Sequence, residues 1–347
     1  MRKKKLLAIV LAGVIIAGVV HAKFSSIVMN PFLNTLANQP YHWQCQRLKE
    51  KSLTQDRSVQ WTQWSCTDKK PWTLFWMAKS EWSPLKINLV DADLSDPHLQ
   101  LVPVLANTVD KDRPYIESLS QMGAEHAHFI AGINGGYFFV NNVGHHDQNC
   151  IWKRYPTRTT YDVGDGLLVI NKKAYSENCG TSKTSTLARA TIVQENKGEW
   201  AIKEISANTI PSDIQNGLGA GPLLIAPDQS TQAKINLRWE GILSSFEFGA
   251  NTAVILARDT KAHQHLLLFT VDGMDKRAGM RAVQMANFIY TTLPTLLHLQ
   301  VVSAMNMDQG HSTAMYIRGQ SNPIVSKADK SRTERSIYDA LFIAEKP

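Results

Sequence analysis

The chain has 347 residues, 44% of them hydrophobic and 19% charged, which supports a sizeable core and excludes a wholly disordered chain. Its formal charge of +7 first suggests a nucleic-acid or anionic partner, yet Arg2, Lys3, Lys4 and Lys5 supply four of the seven. Residues 23–347 hold 33 basic and 30 acidic side chains, and nowhere do basic and aromatic residues interleave as on a nucleic-acid platform.

In chain order, the basic run leads into an apolar stretch from Leu6 to Val20 and then Val20-His21-Ala22. A basic head, a short apolar run and small residues before a cut after Ala22 form a secretory signal pattern. Retention of residues 6–22 as an inner-membrane anchor is the alternative, although fifteen apolar residues fall short of the ~20 that span a bilayer comfortably. The expected location is periplasmic or secreted, and the expected membrane contact is through this segment alone. Residues 1–22 are therefore set apart, 23–71 form a lead segment, and 72–347 form the main domain.

Residues 23–40, with Pro31, Pro40 and several Asn, read as a stalk. Six of the nine tryptophans follow: Trp43, Trp61, Trp64, Trp72, Trp76 and Trp82. Packing of these indoles against the main domain is preferred to a sugar-stacking platform. An exported chain with four cysteines, none spaced Cys-x-x-Cys, is expected to form two disulfides. Three pairings are open for Cys45, Cys66, Cys150 and Cys179, and the sequence-local pairing Cys45–Cys66 with Cys150–Cys179 is the preferred one.

Strands are expected at Lys86–Ala92, Leu99–Val104, Phe129–Ile133, Leu167–Ile170, Thr191–Gln194 and Trp200–Ile205. Ile116 to about His126 reads as a helix. Further strands fall at Leu266–Val271, Val301–Met307, Ala314–Ile317 and Ala340–Ile343. Met280 to Tyr290 carries apolar residues at helical spacing, and Pro294 should end or kink that helix. Many strands and few helices point to an α+β fold, with mixed β-sheets and a few packed helices in a single main domain.

Chemistry concentrates in the turns. Ile133-Asn134-Gly135-Gly136 and Gly219-Ala220-Gly221-Pro222 are glycine turns that let backbone approach a ligand closely, and neither carries a nucleotide fingerprint. Leu266–Val271 ends at Asp272-Gly273, and Val301–Met307 ends at Asp308-Gln309-Gly310-His311-Ser312-Thr313. If these two strands are parallel partners joined by a right-handed crossover, both carboxylates emerge at one sheet edge. Two acids there suit acid–base work on a glycosidic bond or a divalent cation. The plainer alternative is that each Asp caps a turn. His145-His146-Asp147 reads as a solvated loop, and Lys327–Arg335 as an exposed one.

Taken together, INGGYF (133–138), GAGPLL (219–224), VDG (271–273) and NMDQGHSTAM (306–315), with VDADLSDP (90–97) and Glu334-Arg335, resemble the phosphodiester glycosidase family from about Trp72 to Ile343. The resemblance implies hydrolysis of a sugar-1-phosphodiester at the anomeric C–O bond. It implies Asp308 and Asp272 as the acidic centre, while His311, a departure from the family string, is added as a phosphate-binding or acid–base candidate. Asn134, Gly135, Gly136, Gly219, Gly221, Gly310, Ser312 and Thr313, with Arg335, would surround the substrate, and Arg277 or Arg281, near Asp272, would compensate for the family arginine replaced by Asn251. A carbohydrate phosphodiester would be the partner, no cofactor would be required, and a divalent cation is an alternative. The family's usual Asn-Leu-Asp-Gly-Gly-Gly-Ser is replaced here by a string with Met307, Gln309 and His311, and its Arg-Thr-Ala by Asn251-Thr252-Ala253. Those departures keep two further readings open: a non-catalytic glycan-binding or envelope-assembly protein, and a metal-dependent phosphodiesterase.

Overall fold

Apolar side chains along this chain alternate or run continuously in short segments, so most of the backbone is satisfied by sheet ladders rather than helices. The computed structural model describes residues 26–68, 84–107, 116–139, 163–176, 178, 188–196, 198–206, 211–226, 234–237, 249–273, 279–320, 324–325 and 334–346. Helix α1 (Ser26–Ala37) precedes strands β1 (Trp43–Ser52), β2 (Val59–Asp68), β3 (Leu85–Asp93) and β4 (Leu99–Leu105). Then come β5 (Glu117–Ser118), α2 (Leu119–Ala124), β6 (Phe129–Asn134), β7 (Phe138–Phe139) and β8 (Val163–Gly164). Strands β9 (Leu168–Ile170), β10 (Lys173–Ser176), β11 (Ala188–Glu195), β12 (Trp200–Ser206) and β13 (Ile214–Gly219) follow. Next are β14 (Leu223–Ala226), β15 (Lys234–Ile235), β16 (Asn251–Arg258), β17 (Gln264–Val271), α3 (Ala282–Thr291) and α4 (Leu293–Leu297). The chain closes with β18 (Gln300–Asn306), a 3₁₀ turn at Gly310–Ser312, β19 (Ala314–Ile317), β20 (Ile324–Val325), β21 (Ser336–Ile337) and β22 (Asp339–Glu345).

Three sheets carry the fold, and it is mostly β. An eight-stranded antiparallel sheet runs β1-β2-β3-β17-β16-β18-β14-β15, and two five-stranded sheets run β20-β19-β6-β22-β4 and β10-β9-β13-β11-β12. One face of the large sheet packs Ile255, Leu267 and Phe269 against Leu33 and Leu36 of α1 and Met285 and Phe288 of α3. Its other face packs Val254, Leu256 and Leu268 against Ile133, Leu341, Ile192 and Leu218 from the two smaller sheets. The large sheet is thus the middle layer, which is why its central strand β16 is buried from Asn251 to Ala257.

Several expectations change here. Residues 23–40 do not form a stalk throughout: Ser26–Ala37 is helical and docked. Leu33, Leu36 and Ala37 recur at helical spacing and are buried, and Asn34 clamps the backbone of Leu237, accepting from its N–H at 2.8 Å and donating to its carbonyl at 3.1 Å. That tertiary burial outweighs Pro31 inside the helix. The helix expected from Ile116 begins only at Leu119 and ends at Ala124. Ser118 stops it on the N-terminal side with a capping box to Gln121, while Glu117–Ser118 pairs with Ser336–Ile337 instead. Pro294 sits in the first turn of α4, where a missing N–H is tolerated. Strands β17 and β18 are not neighbours: both pair antiparallel with β16, which lies between them. Their parallel ends still reach the same sheet edge.

The lead segment joins the main sheet through β2, which pairs with β3 from Val59↔Ala92 to Cys66↔Leu85. Trp61 and Trp64 are buried on opposite faces, in the two cores flanking the large sheet. Edge strand β1 covers them from outside, with Lys49 Nζ 4.4 Å above the Trp61 ring and the Arg47 guanidinium 5.5 Å above Trp64. Cys45 and Cys66 face each other across β1 and β2 and form a disulfide with a Cα–Cα distance of 4.1 Å. Closing a loop of 21 residues should stabilise the protein by about 3 kcal/mol. The double variant Cys45→Ala/Cys66→Ala is expected to lose about that much in chemical denaturation. Cys150, Cys179, Trp72, Trp76, Trp82, His145–Asp147, most of Lys327–Arg335 and residues 1–22 lie outside the described residues. Among the described residues, no helix is long and apolar enough to cross a membrane.

Candidate functional site

Strand ends from all three sheets meet at one place, and the residues there are polar and buried. Asn134, at the end of β6, is fully buried and holds two sheets together. Its Oδ1 accepts from Thr252 Oγ1 at 2.7 Å and from the Ala314 N–H at 3.1 Å, while its Nδ2 donates to the Asp308 carbonyl at 2.8 Å. An uncompensated amide would be costly there; with three partners it fixes the loop after β18 against β6.

The glycines that follow are required by contact. A Cβ on Gly135 would lie 2.1 Å from Asp339 Oδ1 and 2.8 Å from the Asp339 carbonyl oxygen. One on Gly136 would lie 2.4 Å from the Gly219 carbonyl oxygen, which joins this turn to the third sheet. Gly135→Ala should therefore displace Asp339 and the turn together, destabilising the fold by about 1–3 kcal/mol, a loss readable as a lower denaturation midpoint. Gly219 leaves β13 with its N–H on the Leu167 carbonyl at 2.7 Å, and Gly221, at φ +107°, enters the large sheet with its N–H on the Asn306 carbonyl at 2.9 Å. Tyr137 Oη donates to the Gly221 carbonyl at 3.0 Å and closes this wall.

Asp308 sits at the centre. Its N–H donates to the Gly135 carbonyl at 3.0 Å, and its Oδ1 accepts from the Gln309 N–H at 2.8 Å. Burial of its carboxyl raises the pKa, while the Ser312 hydroxyl, the Arg335 guanidinium and the Gln309 N–H draw it back. Arg335 Nη1 donates to Ser312 Oγ at 3.0 Å and lies 5.1 Å over the Phe138 ring. Its neighbour Glu334 is held by both the N–H and the hydroxyl of Ser120, which anchors the segment that presents Arg335.

The second carboxyl beside Asp308 is Asp339, at the start of β22. It is 2% exposed, and its Oδ1 accepts from the Gly136 N–H at 2.7 Å. Desolvation pushes its pKa up to about 7; the Gly136 N–H opposes this, and the negative charge of Asp308 adds to it. Two acids flank one glycine turn, and the less exposed of them keeps its proton towards neutrality. Sequence reading missed Asp339. Its signal was an acid at the head of the apolar run Ala340–Ile343, directly after Glu334-Arg335.

The remaining expected residues divide. Ser312 and Thr313 are buried at 1% and 3% beside Asp308, and the Thr313 N–H donates to the Gly310 carbonyl at 3.2 Å. Gly310, at φ +66°, donates its N–H to the Ala250 carbonyl at 2.8 Å, and His311 is exposed on the same turn. Asp272 leaves β17 at the same edge, but β16 separates it from β18, placing the two strand ends about 10 Å apart. Its N–H donates to the Lys86 carbonyl at 2.9 Å. Arg281 starts α3 beside Met280, whose carbonyl accepts from Asn251 Nδ2 at 2.6 Å. Asn251 thus fastens the β16 start to the α3 start, with a second bond to the Gly249 carbonyl at 3.2 Å. Among the described residues, no group of three or more His, Cys, Asp or Glu is placed to hold a metal.

Comparison with known proteins matches this architecture. The phosphodiester glycosidase family model aligns with residues 127–344, which include Asn134, Asp308 and Asp339, and the chain belongs to that family. The fold is similar to the zebrafish N-acetylglucosamine-1-phosphodiester α-N-acetylglucosaminidase catalytic domain auto-inhibited by pro-peptide, at a TM-score of 0.55 and 16% identity, over 91% of this chain and 93% of that one. A putative exported protein from Burkholderia pseudomallei aligns at a TM-score of 0.48 and 10% identity, over 88% of this chain and 97% of that one. A hypothetical protein from Synechocystis aligns at 0.48 and 14%, over 88% and 68%. No curated protein matches the sequence.

Proposed function

We propose that the protein is an exported hydrolase that cleaves the glycosidic C–O bond of a sugar-1-phosphodiester in an envelope or secreted glycan. The observation that carries this reading is the Asp308–Asp339 pair around the Gly135–Gly136 turn, within the family-matched region. Asp308, which has the Ser312 hydroxyl, the Gln309 N–H and Arg335 around it, ionises first and takes a proton from the attacking water. The water oxygen bonds to C1, the C1–O bond breaks, and its electron pair leaves with the phosphomonoester. That leaving group is already a stable anion, so no strong general acid is needed.

In this reading Arg335, Ser312, Thr313 and the Gly310 turn, grouped next to Asp308, donate to the phosphate. Protonated Asp339 keeps a second negative charge away from the phosphodiester anion. Export rests on the pattern of residues 1–22.

The purified chain should release free sugar and methyl phosphate from the methyl ester of a hexose-1-phosphate. Release of sugar-1-phosphate and methanol would contradict the reading. One observation favours a second reading as a glycan-binding protein without turnover. Asn251 spends its donors on the backbone carbonyls of Met280 and Gly249, so the family's arginine at that position has no equivalent donor for phosphate.

A further inference from the structure

We propose that the groove between strand β4 and the β10-β9-β13-β11-β12 sheet is a binding cleft for a neutral oligosaccharide chain, separate from the carboxylate pair. The cavity measures about 930 Å³, and none of Asp308, Asp339, Ser312 or Arg335 lines it. That volume lies within the range of small-molecule sites, ~300–1,000 Å³.

The lining chemistry selects the ligand. Of its 25 residues, seven are Asn or Gln and only two, Glu199 and Lys346, are fully charged at neutral pH. Amides both donate and accept, as sugar hydroxyls do, whereas an anionic ligand would call for arginines that the groove lacks. The amides are also fixed in place. Asn216 Nδ2 donates to Gln194 Oε1 at 2.7 Å, and Asn216 Oδ1 accepts from the Asn171 N–H at 2.9 Å. Gln194 Nε2 reaches the Gly198 carbonyl at 3.2 Å, and Gln264 Nε2 the Trp200 carbonyl at 3.0 Å. Each such amide retains a second N–H and a second lone pair, and a side chain already held loses little freedom on binding.

Opposite this polar wall, Leu105 of β4 is half-buried on the face that β4 turns to this sheet, and it offers aliphatic surface for the C–H faces of sugar rings. Leu99 to Leu105 spans about 20 Å at strand rise, room for several rings in a row. Pro103 removes a backbone donor from this edge strand, which disfavours an added peptide strand as the occupant. Leu105 pairs with Asp339 across the β22–β4 ladder, so one end of the groove lies a single strand from the carboxylate pair.

The test is calorimetric titration of the full chain with maltohexaose, cellohexaose and chitohexaose in turn. At least one should bind, and Gln194→Ala/Asn216→Ala should weaken it ten-fold or more. Leu105→Lys, which puts a charge into the opposite wall, should weaken it similarly, and melting temperatures identify any variant that fails to fold. Absence of binding by all three sugars, or wild-type affinity in folded forms of both variants, would overturn the proposal. Binding is read without turnover, so a chain that hydrolyses phosphodiesters yet binds no hexasaccharide overturns this inference alone.

Discussion

Asp308→Asn is expected to lower kcat for sugar-1-phosphodiester hydrolysis on the order of 10³-fold, with KM and melting temperature close to wild type. The size follows from removing the carboxylate proposed to accept a proton from water, a role that typically contributes 10²–10⁴-fold. The fold should tolerate the change because an asparagine Oδ1 can still accept the Gln309 N–H, and Asn134 holds the backbone at Asp308 rather than its side chain. Loss of rate with retained binding separates catalysis from scaffolding. A variant that turns over at the wild-type rate would remove Asp308 from the mechanism.

Asp339→Asn is expected to change stability most, and only at higher pH. The Asp339 pKa is raised from 3.8 to about 7 in the folded protein, so the folded state holds a proton that the unfolded chain releases between those values. Stability from this group is therefore full below about pH 4 and declines as pH rises towards 7. At pH 8 the wild type carries a buried charge that asparagine avoids, and the variant should be more stable by as much as about 4 kcal/mol. At pH 4 the two should match. Urea denaturation at the two pH values measures this, and an equal effect at both would mean that Asp339 does not hold its proton. The same protonation sets the rate: above pH 7 a second carboxylate charge repels the phosphodiester anion, so wild-type kcat/KM should fall through KM. Asp339→Asn should lose that alkaline limb.

Legibility in the sequence followed how local each cause was. Strands β6, β17, β18, β19 and β22 are nearly continuous apolar runs, and burial on both faces keeps them where the pattern places them. The glycine turns were visible because Gly135 and Gly136 have no room for a side chain. Helix α1 was hidden because its cause is remote: Leu33 and Leu36 find their partners across the large sheet, and Asn34 finds Leu237 some 200 residues away. The adjacency of β17 and β18 was misjudged for a similar reason. The apolar pattern reports that both are central, and only register shows that β16 separates them. Asp339 escaped notice because a carboxyl coupled to Asp308 is defined by the meeting of β22 with the Gly135–Gly136 turn, not by any neighbour in sequence.

Hydrolysis of a hexose-1-phosphodiester in ¹⁸O-water tests the central claim most directly, because it reports which bond breaks. Attack at C1 puts the label in the released sugar and leaves the phosphomonoester unlabelled, which is the expected result. Label in the phosphomonoester would mean cleavage of the P–O bond and would contradict a glycosidase mechanism built on Asp308.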